Sequence, residues 1–360
     1  MSKFKAFLKR KDIEFSLKRY FIDAMGAMAQ GLFCTLLVGT IINTVGKQFN
    51  IGFLINPIVG EYTVGGLCSA MVGPAMAVAI GKALKSPPLV LFSLIPVGFA
   101  VNLMGKAGGP LAVFFIAIIA SEFGKLVSKE TKIDILVTPL VTIGVGIGLG
   151  ALIAGPIGYA ASAVGSAIMW ATELQPFLMG ILVSAMVGIA LTLPISSAAI
   201  CAALSLTGLA GGAAVAGCCA QMIGFAVMSY RENKIGGLVA QGIGTSMLQM
   251  GNIVKNPRVW IPPILCSMIT GPLATCVFHL QNNGDAVASG MGTCGFVGQI
   301  GVYSGWVADV ASGAKEAITA FDWIGLILIS FVLPAVLTYL IAIPFRKLNW
   351  IKDGDLKLEL

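Results

Sequence analysis

ILVTPLVTIGVGIGLGALIAG, residues 135–155, contains no charged side chain. Coiled into a helix it would be about 32 Å long, close to the roughly 30 Å hydrocarbon core of a bilayer. Comparable apolar segments lie near 21–45, 62–82, 88–105, 109–127, 176–194, 200–229, 236–254, 259–280 and 319–344. SKETKID (128–134), YRENK (230–234) and KNPR (255–258) punctuate them. The pattern predicts an all-α polytopic membrane protein with about ten transmembrane helices. Composition agrees. Charged residues make up 11% of the chain, against about a quarter in a soluble domain, too few to cover a water-exposed surface. Stretches 47–61, 156–175 and 281–316 are apolar or glycine-rich without a clean span, which suits re-entrant or interfacial segments. Such backbone is tolerated at membrane depth only under protein or beside a water-filled cavity, so its abundance points to a transporter.

The formal charge of +7 is concentrated at the ends. Lys3, Lys5, Lys9, Arg10, Lys11, Lys18 and Arg19 crowd the first segment, and Arg346, Lys347, Lys352 and Lys357 follow the last span. This is the topology signal that places both termini in the cytoplasm, and no nucleic-acid partner is expected. The chain divides into a basic amphipathic segment over 1–20 suited to the inner leaflet, a membrane domain over 21–345 and a cytoplasmic tail over 346–360. No short apolar core ends in a cleavage site near the start, so no cleaved signal peptide is expected. The 8 cysteines sit in apolar surroundings without a CxxC pair, beside a single histidine. They read as helix-packing residues, and neither a metal nor a cofactor is expected.

An internal echo fits a transporter. In GGLCSAMVGPAMAVAIGKALKSPPLV (65–90), Gly65, Gly66, Leu67 and Gly73 align with Gly236, Gly237, Leu238 and Gly244 of GGLVAQGIGTSMLQMGNIVKNPRVW (236–260). Lys85 and Pro87 then align with Lys255 and Pro257, and GPLA recurs at 109–112 and 271–274. Transporters built from repeats place their sites between the repeats; a shared richness in glycine and alanine is the rival explanation.

Three constellations could hold a solute. In WATELQPFLMG (170–180), Thr172, Glu173 and Gln175 gather donors and acceptors beside Trp170, whose ring could stack on a sugar, and Pro176 starts the next helix. A carboxylate at mid-depth costs about 3 kcal/mol or more, so it faces a cavity or a partner; the other reading is a solvated helix end. In LTLPISSAAI (191–200), Pro194 breaks a helix ahead of Ser196 and Ser197, leaving N–H groups suited to hydroxyls or an anion, or merely a kink whose serines bond back to carbonyls. GDAVASGMGTCGFVGQIGVYSGW (284–306), with Thr293 and Gln299, describes a close-packed hairpin or a ligand loop; no GK[ST] follows, so it is no nucleotide loop. Asn102 and Glu61 are further polar groups near the repeat starts, each more simply a helix cap or an interhelical bond. His279 reads as an interfacial residue or, with Glu61, as part of a proton or polar relay. No GxSxG elbow occurs and no catalytic residue is expected.

GKAGGPLAVF (105–114), GPIGYAASAVGSAIMWATELQPFLMGI (155–181), LTLPISSAAI and GMGTCGFVGQIG (290–301) together resemble the phosphotransferase-system enzyme IIC-like family, often described as perfringolysin-regulator-like membrane proteins. The resemblance spans roughly residues 15–345. It implies a sugar permease, a homodimer, and separate IIA and IIB phosphoryl donors, since neither domain is appended. Relatives of the glucose group hold sugar hydroxyls with the glutamate of a Thr-Glu-Pro motif. The resemblance carries that role to Glu173, although Leu174 and Gln175 intervene before Pro176.

The leading expectation is therefore a plasma-membrane permease that binds a small polar solute, a sugar above all, and exposes it to each side in turn. The alternatives are an ion-coupled transporter of an organic acid, in which Glu173 or His279 titrates, and a membrane-embedded sensor that signals through a cytoplasmic partner.

Overall fold

A computed structural model describes residues 3–358. Residues 1, 2, 359 and 360, the outer ends of the two basic segments, lie outside the described residues, as do the side chains of 3–5 (Lys3 and Lys5 among them), 37 and 203. Helix makes up 79% of the chain, and no strand occurs among the described residues. The residues form two compact units, 1–46 with 50–160 and 47–49 with 161–360.

In the first unit, α1 (Lys3–Arg10) precedes α2 (Arg19–Gln48). Helices α3 (Val64–Ala70) and α4 (Val72–Ala83) meet at a 48° bend. Lys85, at φ 56°, turns the chain into α5 (Pro88–Gly105), which Pro88 opens at the position where a missing N–H costs nothing. Lys106, at φ 48°, turns it again into α6 (Gly109–Val127), which packs back on α5. The apolar run Pro88–Val127 is thus a helical hairpin, each arm about 27–29 Å long. Helices α4 and α5 touch backbone to backbone. A Cβ on Gly73 would stand 2.1 Å from the Gly98 carbonyl oxygen, and one on Gly98 would stand 2.3 Å from that of Gly73.

Helix α7 (Asp134–Thr172) opens with the run quoted first and does not stop there. Residues 156–175, expected as a separate re-entrant piece, continue it through Pro156 as far as Thr172. A proline breaks a helix in water, whereas inside packed helices neighbours absorb the lost bond. Around Pro156 the helix rests on α5, Gly158 facing the Gly105 carbonyl.

The second unit contains α8 (Pro176–Thr192), α9 (Ser197–Ala203) and α10 (Gly208–Met228). Then come α11 (Tyr230–Val239), α12 (Met250–Lys255) and α13 (Pro257–Val277). Helices α14 (Ala286–Ser289), α15 (Val297–Ser312) and α16 (Ala320–Lys347) complete it. Its centre is α10, packed against α8, α13 and α16.

Six helical runs are long and apolar enough to span a bilayer, or seven if α3 and α4 count as one. One of these runs, Pro88–Val127, holds both arms of the hairpin, and several of the apolar stretches do not fold as one unbroken helix. Lys234 leaves helical geometry just ahead of the 236–254 stretch, and Thr245, extended, interrupts it. Pro176–Thr192 has 17 residues, just under a full span. The 200–229 stretch divides at Ser205, φ 49°, into α9 and α10. By contrast, 281–316 folds back on itself as α14, a tight turn and α15.

Both terminal segments are anchored. Arg10 and Lys11 pair with Glu130, and Arg19 holds Asp12 at 2.8 Å. The Arg19 hydrogen bond keeps the Asp12 carboxyl below its usual range. At the other end, residues 350–358 are part of the second unit rather than a free tail. Ile351 and Leu356 are buried, and Gln249, Asn252 and Asn233 donate side-chain amides to the carbonyls of Leu356, Lys357 and Leu356.

Candidate functional site

Two of the three segments singled out in the sequence touch. Pro194 ends the helical path after Thr192, and Ser196 caps α9 by accepting from the Ala199 N–H at 3.2 Å. The neighbouring Ser197 hydroxyl, buried, donates to the Gly290 carbonyl at 2.7 Å. The broken helix is therefore tied to the glycine-rich fold-back. Helices α9 and α14 pack on each other, and Gly292 lies over Cys218 at the middle of α10. Thr293 donates to the Gly242 carbonyl at 2.5 Å, and Gln299 donates to Ser330 at 2.9 Å. The Gln299 amide oxygen is buried without a partner among the described residues. Gly290, Gly292 and Gly298 each meet another backbone too closely for a side chain, which explains the composition of GMGTCGFVGQIG.

One helical turn beyond Cys218 lies a group that sequence reasoning missed. Gln221, fully buried, points its amide oxygen at the Trp260 indole N–H at 2.9 Å and at the Thr192 hydroxyl at 3.3 Å. Thr192 and Ser246 share a hydrogen bond of 2.8 Å. The Gln221 amide nitrogen has no partner among the described residues. A buried donor left unmade costs about 1–3 kcal/mol. The four residues come from the end of α8, the centre of α10, the irregular turn after Thr245 and the start of α13. Three of these places are interruptions of helix, where backbone groups are also free to serve a ligand. The signal available in the sequence was the amide itself: Gln221 stands in GLAGGAAVAGCCAQMIGFAVM, otherwise small and apolar.

The remaining expected residues lie elsewhere. Glu173 and Gln175 are exposed in the corner between α7 and α8, Trp170 is 59% exposed, and the Thr172 hydroxyl donates to the Met169 carbonyl. Glu173 makes no side-chain hydrogen bond among the described residues, so none ties it to Ser196 or Ser197. Asn102, half-buried, lies against Gly109 where α5 gives way to α6. Glu61 is exposed in the turn closed by Val59 and Tyr62, and His279 is exposed at φ 45° beyond α13. No group of three metal-ligating side chains occurs among the described residues.

Residues 22–358 match the family model for the phosphotransferase system, EIIC. The chain belongs to that family. No curated protein and no solved structure matches it. An EIIC protein is the membrane permease of a phosphotransferase system and works with IIA and IIB components. For this EIIC chain the helical fold and the apolar spans agree with an integral membrane protein.

Proposed function

We propose that this EIIC chain binds a sugar at the polar interior of its second unit and carries it across the plasma membrane by alternating access, with both termini cytoplasmic and the chain working as a homodimer. The observation that carries this reading is the convergence of Gln221, Thr192, Ser246 and Trp260. A sugar needs neutral donors and acceptors and an aromatic face, and those four residues supply them. Gln221 is closed off from solvent, so a solute reaches it only when the interruptions around Pro194, Thr245 and Gly290 rearrange. Ser196, Ser197, Thr293 and Gln299 hold those interruptions in place. An ion-coupled carrier of an organic acid would need a titrating or cationic group at the site, and the four contacts include none.

The two stretches of the sequence echo support the idea of related halves. Both fold as interrupted helices followed by a turn and a proline-opened helix, α3–α4–α5 in one unit and 236–255 with α13 in the other.

The test is thermal stabilisation and uptake with a panel of sugars, polyols and sugar acids. A sugar should stabilise the protein, and Gln221→Leu should abolish that response while the variant still folds. Failure of every sugar and polyol would overturn the reading. The Glu173 corner, with Trp170, Thr172 and Gln175, is a second proposed contact. Glu173→Gln should weaken sugar binding less than Gln221→Leu, and unchanged uptake would make it a solvent-facing corner only.

A further inference from the structure

A cavity of about 480 Å³ opens between the ends of α10, α11 and α16, away from the residues described above. Its lining is mainly apolar, with Val227, Leu238, Ala342 and Ile343, and includes Arg231 and Lys347, both exposed, which places them toward its mouth. Tyr230 and Tyr339, both 44% exposed, flank it. Tyrosines and long cations at the ends of apolar helices mark the level of the lipid headgroups, and α16 is one of the apolar spans.

The charges at the mouth are not balanced by the protein. Arg346 is committed, its guanidinium held by Glu232 at 2.9 Å, Asp353 at 3.1 Å and the Met228 carbonyl at 3.0 Å. Arg231 and Lys347 make no ion pair or hydrogen bond among the described residues. Two unpaired cations above an apolar cavity, within the usual 300–1,000 Å³ range of ligand pockets, ask for a molecule with an acyl chain and a negative head. A free anion would leave the apolar body unfilled, and a zwitterionic lipid would leave the cations unmatched. We propose that this cavity is a binding site for one anionic phospholipid of the surrounding bilayer, its acyl chain in the apolar body and its phosphate between Arg231 and Lys347. Basic pockets between helix ends recognise anionic headgroups in this way.

The full-length protein in nanodiscs of phosphatidylcholine, with or without one-fifth phosphatidylglycerol, provides the test. Phosphatidylglycerol should raise the unfolding temperature, and native mass spectrometry should show one retained phosphatidylglycerol per chain. Arg231→Gln with Lys347→Gln removes both free cations without touching Arg346, and should lower phosphatidylglycerol retention about tenfold or more. Inorganic phosphate added to detergent-solubilised protein should not reproduce the stabilisation. Equal retention by wild type and the double variant, or equal stabilisation by phosphatidylcholine alone, would overturn the proposal. So would a stabilisation by inorganic phosphate that matches the lipid's. Ala342→Leu, which narrows the apolar body and leaves the charge intact, separates the two halves of the site: retention should fall here too, and retention unchanged would also count against it.

Discussion

Both units bury hydroxyls, but the first adds charged side chains and the second adds amides. The first encloses charges: Arg19, Glu122 and Lys125 are all buried, with Lys125 2.9 Å from Glu122 and donating to the carbonyls of Asp12 and Leu84. The second buries amides and hydroxyls between its helices, and its Arg346–Glu232 pair sits at helix ends beside the docked C-terminal segment. A buried charge must be paired and bonded on every side, so it fixes one arrangement. A buried amide can exchange one neutral partner for another at small cost. The polar interior of the first unit is thus fixed by its charges, whereas that of the second can change one neutral partner for another.

Breaking the charged interior should produce the largest effect. Lys125→Met leaves Glu122 without its counter-ion and should cost about 3–5 kcal/mol, read as a large fall in the unfolding temperature of the purified protein. Adding Glu122→Gln should recover much of that loss, since a neutral pair needs no counter-charge. If the double variant is no better than Lys125→Met alone, the pair is not what organises this interior.

The neutral interior should answer differently. Gln221→Leu should cost only about 1 kcal/mol of stability while lowering sugar affinity tenfold or more, at least about 1.4 kcal/mol. Trp260→Phe keeps an aromatic face, though a smaller one, and removes the indole donor, and should give a smaller loss of affinity by calorimetry. A sugar that binds both variants as well as the wild type would place the solute elsewhere.

Smaller still is the contribution of the C-terminal anchor. Asn252→Ala removes donation to the Lys357 carbonyl at 3.0 Å and to Gln249 at 2.8 Å. It should cost about 1–2 kcal/mol and raise hydrogen exchange over residues 350–358, with little change in sugar binding.

The slightest expected effect is one of pH. Asp12 is lowered from its ordinary value of 3.8, first through its hydrogen bond with Arg19. A depressed folded-state value means that the contact's contribution is complete above about pH 4 and is lost as pH falls further, through the folded value. Hydrogen exchange at residues 11–19 should therefore be flat between pH 5 and 8, apart from the intrinsic base-catalysed rise, and increase only in more acidic solution. Loosening of this segment near neutral pH would show that another group holds it.

How far these differences could be read beforehand depended on range. The run at 135–155 declared its environment by itself, because spanning a bilayer requires only local hydrophobicity. The interruptions at Pro194 and in GMGTCGFVGQIG were also legible, since proline and clustered glycine act on their own backbone. Residues 236–254 misled for the opposite reason. Gln241, Gln249 and Asn252 look like incidental polar residues in an apolar stretch until the Leu356 and Lys357 carbonyls, about a hundred residues later, are seen to receive the latter two. Gln221 was overlooked in the same way. Nothing adjacent to it announces Trp260, Thr192 or Ser246, and a lone amide in a helix of small residues has no periodicity to betray it. The exposed position of Glu173 was one of the two readings its sequence allowed; local residues alone could not choose between them.

The stretch from Leu174 to Tyr230 contains no ionisable side chain other than cysteine and the terminal tyrosine, and neither does Ala286 to Ala308 apart from Cys294 and Tyr303. These are the segments that carry the α8–α9 break and the fold-back against α10. A full charge moved through a membrane potential of 100 mV gains or loses about 2.3 kcal/mol. If these segments shift to admit a solute, they carry no net side-chain charge with them, and the electric field across the membrane does almost no work on the movement. Uptake of an uncharged solute along this route should then proceed at the same rate in polarised and depolarised vesicles.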